Sequence, residues 1–168
     1  MRTLIVIDMQ NDFVGGVLGT PEARAIVPNV KKKIQEHYKR GDKIIFTRDT
    51  HHKDYLNTPE GQKLPVVHCL ENSYGWQIVG GLEVPGCYYI DKPTFGWANW
   101  QNVPLCDAVE AIGVCSDICV VSNAILIKTM YPNVNVVVDA SCCAGSTPER
   151  HKAALEIMKS CQINVIGE

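Results

Sequence analysis

The chain has 168 residues, of which 46% are hydrophobic and 20% charged, and its formal net charge is -2. A chain of this length can bury roughly two-thirds of its unfolded surface, so it needs no disulfides to fold. The charge balance argues against nucleic acid as a partner, and no run of like charges forms a tail. We therefore expect one domain that spans residues 1–168.

The N-terminal segment indicates where the protein resides. It reads MRTLIVIDMQNDF, with one charge followed by a short apolar run that ends at Asp8. This run is too short for a signal peptide, and no stretch approaches the roughly 18 apolar residues of a membrane span. We expect a cytoplasmic protein with no membrane partner. In that compartment its cysteines are expected to be free thiols, ligands or a nucleophile, and we interpret the vicinal Cys142 and Cys143 as packing residues.

Strands and helices alternate along the chain. Short apolar runs predict buried strands, and fourfold apolar spacing predicts helices. The predicted elements are, in chain order, a strand at 4–7, a helical stretch at 21–40 that becomes regular near Pro28, strands at 43–47 and 87–91, a short helix within 102–110, a strand at 111–115, a helix at 117–130, a strand at 134–138, a helix at 148–160 and a strand at 163–166.

This alternation predicts a three-layer α/β fold, with a mostly parallel six-stranded sheet and helices on both faces. Such sheets bind ligands beyond the carboxyl ends of their strands, where the strand order reverses. Asp8, the loop at Asp49, Lys92 and the segment 115–119 all follow predicted strands. Residues 48–84 show little periodicity, and irregular segments of that length are usually functional.

Asp8, Lys92 and Cys119 are the candidate catalytic residues. A cysteine at the start of a helix has its thiolate favoured by the helix dipole, and a nearby lysine favours it further. A carboxylate can take the thiol proton, and backbone N–H groups at the helix start can hold an oxyanion. The residues by themselves also allow a loop cap for Asp8, a surface ion pair for Lys92 and an apolar packing role for Cys119.

Asp49, His51 and His68 are the candidate metal ligands. Both side chains of an Asp-x-His pair point the same way on an extended chain, and a carboxylate with two imidazoles suits zinc, iron or manganese. Glu60 lies between them and is a further candidate ligand, either directly or through water. A hydrophilic loop with scattered histidines is the alternative interpretation.

Four segments resemble the isochorismatase-like hydrolases, and they occur in the order of that family. They are IDMQNDFVGGVLG at 7–19, DKPTFGW at 91–97, GVCSDICVVSNA at 113–124 and DASCCAGSTPERHKAAL at 139–155. The resemblance implies Asp8 as general base, Lys92 as a stabilising charge and Cys119 as nucleophile. It also implies a cis peptide between Val114 and Cys115, with an oxyanion hole from the N–H groups of Cys115 and Cys119.

Within this superfamily, two further segments resemble the metal site of nicotinamidases. They are TRDTHH at 47–52 and VVHC at 66–69, which supply Asp49, His51 and His68. The resemblance implies one divalent metal, with zinc preferred and iron or manganese as alternatives. We expect Phe13, Trp76 and Trp97 to flank a flat substrate ring, although each is also a candidate for core packing.

The leading hypothesis is a cysteine-dependent amidase that hydrolyses nicotinamide, or a close aromatic amide, through a thioester. The alternative within the family is a metal-independent amidase that acts on a ureido or carbamoyl substrate. An alternative of another class is a non-enzymatic zinc- or thiol-binding module, against which the lack of C-x-x-C pairs counts. The expected partners are a small-molecule amide and further copies of the chain.

Overall fold

Six strands build one sheet that is parallel throughout, in a computed structural model that describes all residues from Met1 to Glu168. The strands are β1 (Thr3–Ile7), β2 (Lys43–Asp49), β3 (Tyr88–Lys92), β4 (Ala108–Val114), β5 (Asn135–Ala144) and β6 (Asn164–Ile166). Every residue of β1 is buried, as a strand covered on both faces requires. The expected fold class is confirmed, and the sheet contains no antiparallel strand.

Six α-helices connect or flank these strands. They are α1 (Asn11–Val14), α2 (Pro21–Ala25), α3 (Val27–Lys39), α4 (Pro59–Lys63), α5 (Val121–Met130) and α6 (Pro148–Ser160). Pro28 lies in the first turn of α3, where a missing N–H costs nothing, and Thr147 caps α6 by accepting the N–H of Arg150. No helix of the chain has the length and apolar character needed to cross a membrane.

The strand order is β3-β2-β1-β4-β5-β6, so the direction of winding reverses between β1 and β4. Right-handed crossovers then put the helices after β1 on one face and those after β4 and β5 on the other. Ligand sites of such sheets lie at this reversal, beyond the carboxyl ends of the strands. Asp8 follows β1 and Cys115 follows β4, so both residues lie directly at that point.

Three predicted elements differ from the observed ones. The short helix predicted within 102–110 is wrong, because a single 3₁₀ turn at Trp100–Asn102 precedes β4, which already begins at Ala108. The helix predicted at 117–130 begins with a π-helical turn at Ser116–Val120, before α5. The strand predicted at 134–138 continues to Ala144, because its second half pairs with the end of β4.

Candidate active site

Asp8, Lys92 and Cys119 meet at the carboxyl edge of the sheet. The Nζ atom of Lys92 lies 2.6 Å from Asp8 Oδ2 and 3.6 Å from Cys119 Sγ. Asp8 and Lys92 are fully buried, and Cys119 is 5% exposed. The structure thus brings together, within hydrogen-bond reach, three residues that come from three separate strand ends.

Close backbone approach brings these strand ends into contact. Gly113 near the end of β4 has a φ of +121°, and a Cβ atom there would lie 2.1 Å from the carbonyl oxygen of Ile7. Only glycine allows β4 to lie this near to β1. Asp8 itself has a φ of +49°, and its carboxylate accepts a 2.7 Å hydrogen bond from the hydroxyl of Thr47. Strained residues of this kind are concentrated at functional sites.

Burial and charge pairing oppose each other at the Asp8–Lys92 pair. Burial raises the pKa of Asp8, and the neighbouring carboxylate of Asp49 raises it further, while Lys92 works in the opposite direction. Burial disfavours the charge of Lys92, but the carboxylates of Asp8 and Asp49 outweigh it and raise the pKa of Lys92. Lys92 therefore remains a cation, and Asp8 is a stronger base than an exposed aspartate.

The Cys119 sulfur is a thiol in this environment rather than the stabilised thiolate that its sequence position suggests. Burial raises the pKa of Cys119 well above its ordinary value, and the carboxylate of Asp8 raises it further, which outweighs the opposing effect of Lys92. The sequence-based expectation considered the helix start and the lysine, but not the loss of water around the sulfur. A buried thiol needs a base in order to react, and the carboxylate of Asp8 is its neighbour.

The turn that carries Cys119 follows β4 directly. The peptide bond between Val114 and Cys115 is cis, as the sequence resemblance implies. The carbonyl of Cys115 accepts the N–H groups of Ile118 and Val120, which closes the turn, whereas the N–H of Cys115 donates to no acceptor within the chain. Burial raises the pKa of the Cys115 thiol to about 12, so this second cysteine of the turn is also protonated.

Asp49, His51, Glu60 and His68 form a second cluster beside the first. Their ligand atoms all lie within 4.8 Å of one another. His51 Nε2 lies 2.9 Å from Asp49 Oδ2 and 3.6 Å from Glu60 Oε1, and His68 Nε2 lies 3.5 Å from Asp49 Oδ2. All four predicted metal-ligand candidates are therefore neighbours in space.

The donor set of this cluster fits a divalent metal. His68 directs Nδ1 to the carbonyl of Val66 at 2.7 Å, so its Nε2 is the nitrogen that faces the cluster. Asp49 Oδ1 is buried without a hydrogen-bond partner. Burial favours a neutral Asp49, but hydrogen bonds from His51 and His68 outweigh it and lower the pKa of that carboxyl. A buried carboxylate, two imidazoles and a second carboxylate suit zinc or a similar ion.

Two residues of the N-terminal motif hold the segments that carry Asp49 and His68 in place, and the sequence reasoning missed both. The side-chain amide of Gln10 accepts the N–H of Asp49 at 2.7 Å and donates to its carbonyl at 2.9 Å. The carboxylate of Asp12 accepts the N–H of Cys69, next to His68, at 2.8 Å. Gly75 lies against Asp12 so closely that a Cβ atom there would collide with the carboxylate. The signal in the sequence was the motif itself, in which only Asp8 and Phe13 were assigned roles.

A cavity of about 310 Å³ opens beside the two clusters. Its walls include Cys115 and Cys119 from the turn that follows β4, and Asp49, Glu60 and His68 from the second cluster. The remaining lining residues are Phe13, Leu18, Thr20, Ala23, Leu64, Phe95, Ile118, Gly145, Ser146 and Arg150. A partly apolar cavity of this size accommodates one small ring compound.

Of the three aromatic residues predicted to contact substrate, only Phe13 lies in the cavity wall. Trp76 lies elsewhere, where its Nε1 donates to Thr50 Oγ1 at 2.8 Å and its ring stacks on the guanidinium of Arg48 at 3.8 Å. Trp97 packs against the core, and its backbone N–H donates to the side chain of Asn123. The sequence reasoning missed Phe95, two residues before Trp97, which is the aromatic residue of that segment that lines the cavity.

The eight cysteines lie outside the candidate metal-ligand cluster and are not joined by disulfides. Cys142 and Cys143 are buried in β5, which agrees with the packing interpretation.

Comparison with known proteins identifies the family. A nicotinamidase of Schizosaccharomyces pombe is 26% identical, with 98% of this chain and 92% of that protein covered. An Arabidopsis thaliana protein named "Probable inactive nicotinamidase" is 29% identical, with 94% and 87% covered. The solved structure of pyrazinamidase of Pyrococcus horikoshii in complex with zinc has a TM-score of 0.84 at 27% identity, with 99% and 98% covered. Residues 2–167 match the family model described as the Isochorismatase domain, so the chain belongs to this family.

Proposed function

We propose that this chain is a cysteine-dependent amidase of nicotinamidase type, which hydrolyses a small aromatic amide to the acid and ammonia. The observation that carries the proposal is the contact of Lys92 with both Asp8 and Cys119 beside the cavity that Cys119 lines. The relatives named nicotinamidase and pyrazinamidase support the same substrate class. We assign this function to a single domain over residues 1–168.

In the first half-reaction, Asp8 takes the proton of the Cys119 thiol, and the sulfur attacks the carbonyl carbon of the amide. The oxyanion of the tetrahedral intermediate accepts hydrogen bonds from the N–H groups of Cys115 and Cys119. Asp8 then returns the proton to the leaving nitrogen, so that the C–N bond breaks, ammonia departs and a thioester remains on Cys119. The raised pKa of Asp8 suits this exchange of the proton in both directions.

In the second half-reaction, Asp8 takes a proton from a water molecule that attacks the thioester carbon. The C–S bond breaks, the carboxylic acid leaves, and the proton returns to the sulfur of Cys119. Lys92 stays charged throughout and stabilises the negative charge that moves between Asp8 and the sulfur. The net reaction consumes one amide and one water, and it releases one acid and one ammonia.

Asp49, His51, Glu60 and His68 are the residues that would hold a divalent metal, with zinc as the first candidate. The supporting observations are their clustered donor atoms and the zinc in the Pyrococcus horikoshii relative. When bound, the ion supplies a Lewis acid that can bind the ring nitrogen of a pyridine amide and orient its carboxamide. Orientation of a substrate in this way lowers the activation free energy by roughly several kcal/mol.

The test is an ammonia-release screen over nicotinamide, pyrazinamide and carbamoyl compounds, with wild type and Cys119→Ala. We expect wild type to hydrolyse an aromatic amide and Cys119→Ala to lose activity while its circular dichroism spectrum stays unchanged. Cys161→Ala removes an exposed thiol far from the cavity and serves as the control. Turnover that persists in Cys119→Ala would contradict the role of that thiol, and release of ammonia from carbamoyl compounds alone would favour the metal-independent amidase.

A further inference from the structure

We propose that Arg150 forms an anion subsite in the cavity, so that the preferred substrate is a small amide that also carries a carboxylate. The inference rests on the proposed amidase function for the amide end of the molecule. It adds a second recognition element at a distinct residue, which no part of the hydrolytic mechanism uses.

The fold holds Arg150 at the cavity rim. The residue lies in the first turn of α6, where its N–H donates to the side chain of Thr147 at 3.2 Å. Its side chain lines the same cavity as Cys119 and remains exposed to solvent. Cys119 and the guanidinium of Arg150 are therefore both available to a small molecule that fills this cavity.

The guanidinium of Arg150 has no carboxylate partner. Its one side-chain hydrogen bond goes to Ser146 Oγ at 3.3 Å. The carboxylate of Asp117, which binds the same serine, accepts hydrogen bonds from the N–H and hydroxyl of Ser146 at 2.7 Å and 2.6 Å. By contrast, Arg40 and Arg48 each contact a carboxylate at 2.9 Å and 2.6 Å. Arginine has five N–H donors, so most of those on Arg150 remain available to a ligand.

The charges around the cavity leave Arg150 as the unbalanced one. Lys92 balances Asp8 within the catalytic cluster, at 2.6 Å. Asp49 and Glu60 face the two histidines of the metal-ligand cluster, where a divalent ion would offset their charges. The other lining residues near Arg150 are apolar or neutral. A planar guanidinium in such a wall matches a carboxylate, which can accept two parallel hydrogen bonds from it.

Matched substrates provide the test. The substrates are the positional isomers of nicotinamide that carry one ring carboxylate. Each isomer is compared with the neutral nitro compound of the same shape. We expect wild type to prefer at least one carboxylated isomer over its nitro counterpart by roughly tenfold or more in kcat/KM, as for one charged hydrogen-bonded contact. Arg150→Gln should reduce this ratio to within about threefold of unity, and Arg150→Lys should retain part of it.

Lys152→Gln is the control, because it removes the same charge from the same helix at an exposed residue that does not line the cavity. The carboxylate preference should persist in this variant. Wild type that shows no preference for any carboxylated isomer would overturn the proposal. So would a preference that survives in Arg150→Gln or disappears in Lys152→Gln, because general electrostatic attraction would then be the cause.

A binding measurement separates this proposal from the proposed function. Titration calorimetry with pyridine dicarboxylates needs no turnover, so it remains informative if no amide is hydrolysed. We expect Arg150→Gln to bind the best isomer roughly tenfold more weakly than wild type and Lys152→Gln do. Equal affinity in all three proteins would contradict the anion subsite, whereas loss of ammonia release with this binding pattern intact would contradict only the amidase function.

Discussion

At the scale of single residues, burial away from water sets the protonation of Asp8 and Cys119. Burial raises the pKa of both groups, so the carboxylate becomes a stronger base and the sulfur remains a thiol. Lys92 opposes both shifts while it stays in contact with Asp8 and Cys119. Proton transfer from sulfur to carboxylate is therefore expected to accompany attack, rather than to precede it.

Asp8→Asn tests this interpretation. An amide cannot accept the thiol proton, so kcat/KM should fall by roughly 10²- to 10⁴-fold, which is the usual contribution of a general base. The measurement is ammonia release with the best substrate of the screen. A variant that keeps more than a tenth of the wild-type rate would remove Asp8 from the mechanism.

His51→Ala tests the metal-ligand cluster. We expect wild-type protein to contain about one divalent ion by elemental analysis and the variant to contain much less, since each site imidazole is a ligand. Burial lowers the pKa of His68, but its hydrogen bond to Asp49 outweighs this and raises the pKa above 6.5. Protons therefore compete with the metal as the pH falls, and occupancy should decrease at low pH. His52→Ala, at an exposed neighbour, should retain the metal. If wild-type protein that is purified without chelator contains no divalent ion, the proposed site is contradicted.

At the scale of elements, the start of α1 and the residue before it position the proposed metal-ligand cluster. Gln10 binds the backbone of Asp49 through two hydrogen bonds, and Asp12 binds the backbone next to His68. The N–H of His51 in turn donates to the carbonyl of Cys69, so the ligand segments are also joined to each other. Groups that orient metal ligands in this way contribute to metal affinity without touching the ion.

Gln10→Ala and Asp12→Asn should each weaken metal binding by roughly 10- to 100-fold, the range known for such outer contacts. Asn11→Ala is the matched control, because this side chain contacts Tyr74 instead of a ligand segment. Competition with a chromophoric zinc chelator measures the affinity without reference to activity. Unchanged affinity in both variants would show that the cluster is held by other contacts.

At the scale of the whole molecule, a charge network ties α3 to the sheet away from the cavity. Lys33 contacts Glu110 on β4 and Asp139 on β5, each at 2.8 Å, and His37 contacts Glu110 at 3.1 Å. Burial raises the pKa of Glu110, but hydrogen bonds from His37 and Lys33 outweigh it and lower the pKa to about 2. A homo-oligomer of this chain stays a prediction, which light scattering can check.

Glu110→Gln should lower the free energy of unfolding by about 3 kcal/mol at neutral pH, as removal of one buried charge partner usually does. In the folded state the pKa of Glu110 is lower than its ordinary value of 4.5. The contribution of Glu110 to the free energy of unfolding is therefore complete above pH 4.5 and is lost as the pH falls toward about 2. Urea denaturation at several pH values should show the difference between wild type and variant shrinking over that interval. Glu156→Gln, which removes an exposed ion pair with Lys159, should leave the transition unchanged. If the difference in free energy of unfolding between wild type and Glu110→Gln does not change with pH, the lowered pKa of Glu110 is contradicted.

The sequence by itself determined the fold class and placed Asp8, Lys92 and the turn of Cys119 at strand ends, whereas the grouping of Asp49, His51, Glu60 and His68 as metal-ligand candidates also rested on the family resemblance. Apolar runs and helical spacing are local patterns, and the end of a buried strand is visible in the order of residues. The boundaries after β4 and within β5 were less accurate, because the π-helical turn and the late pairing of β5 depend on contacts between strands.

Only the tertiary structure decided the properties that depend on neighbours distant in sequence. Gln10 and Asp49 are 39 residues apart, so their contact leaves no local pattern. The protonation of Cys119 follows from burial among several elements. Trp76 lies away from the cavity, where its indole N–H donates to Thr50, and Trp97 packs against the core. The presence of Arg150 in the same cavity as Cys119 likewise results from packing of α6 against the turn that carries Cys119, which no spacing along the chain predicts.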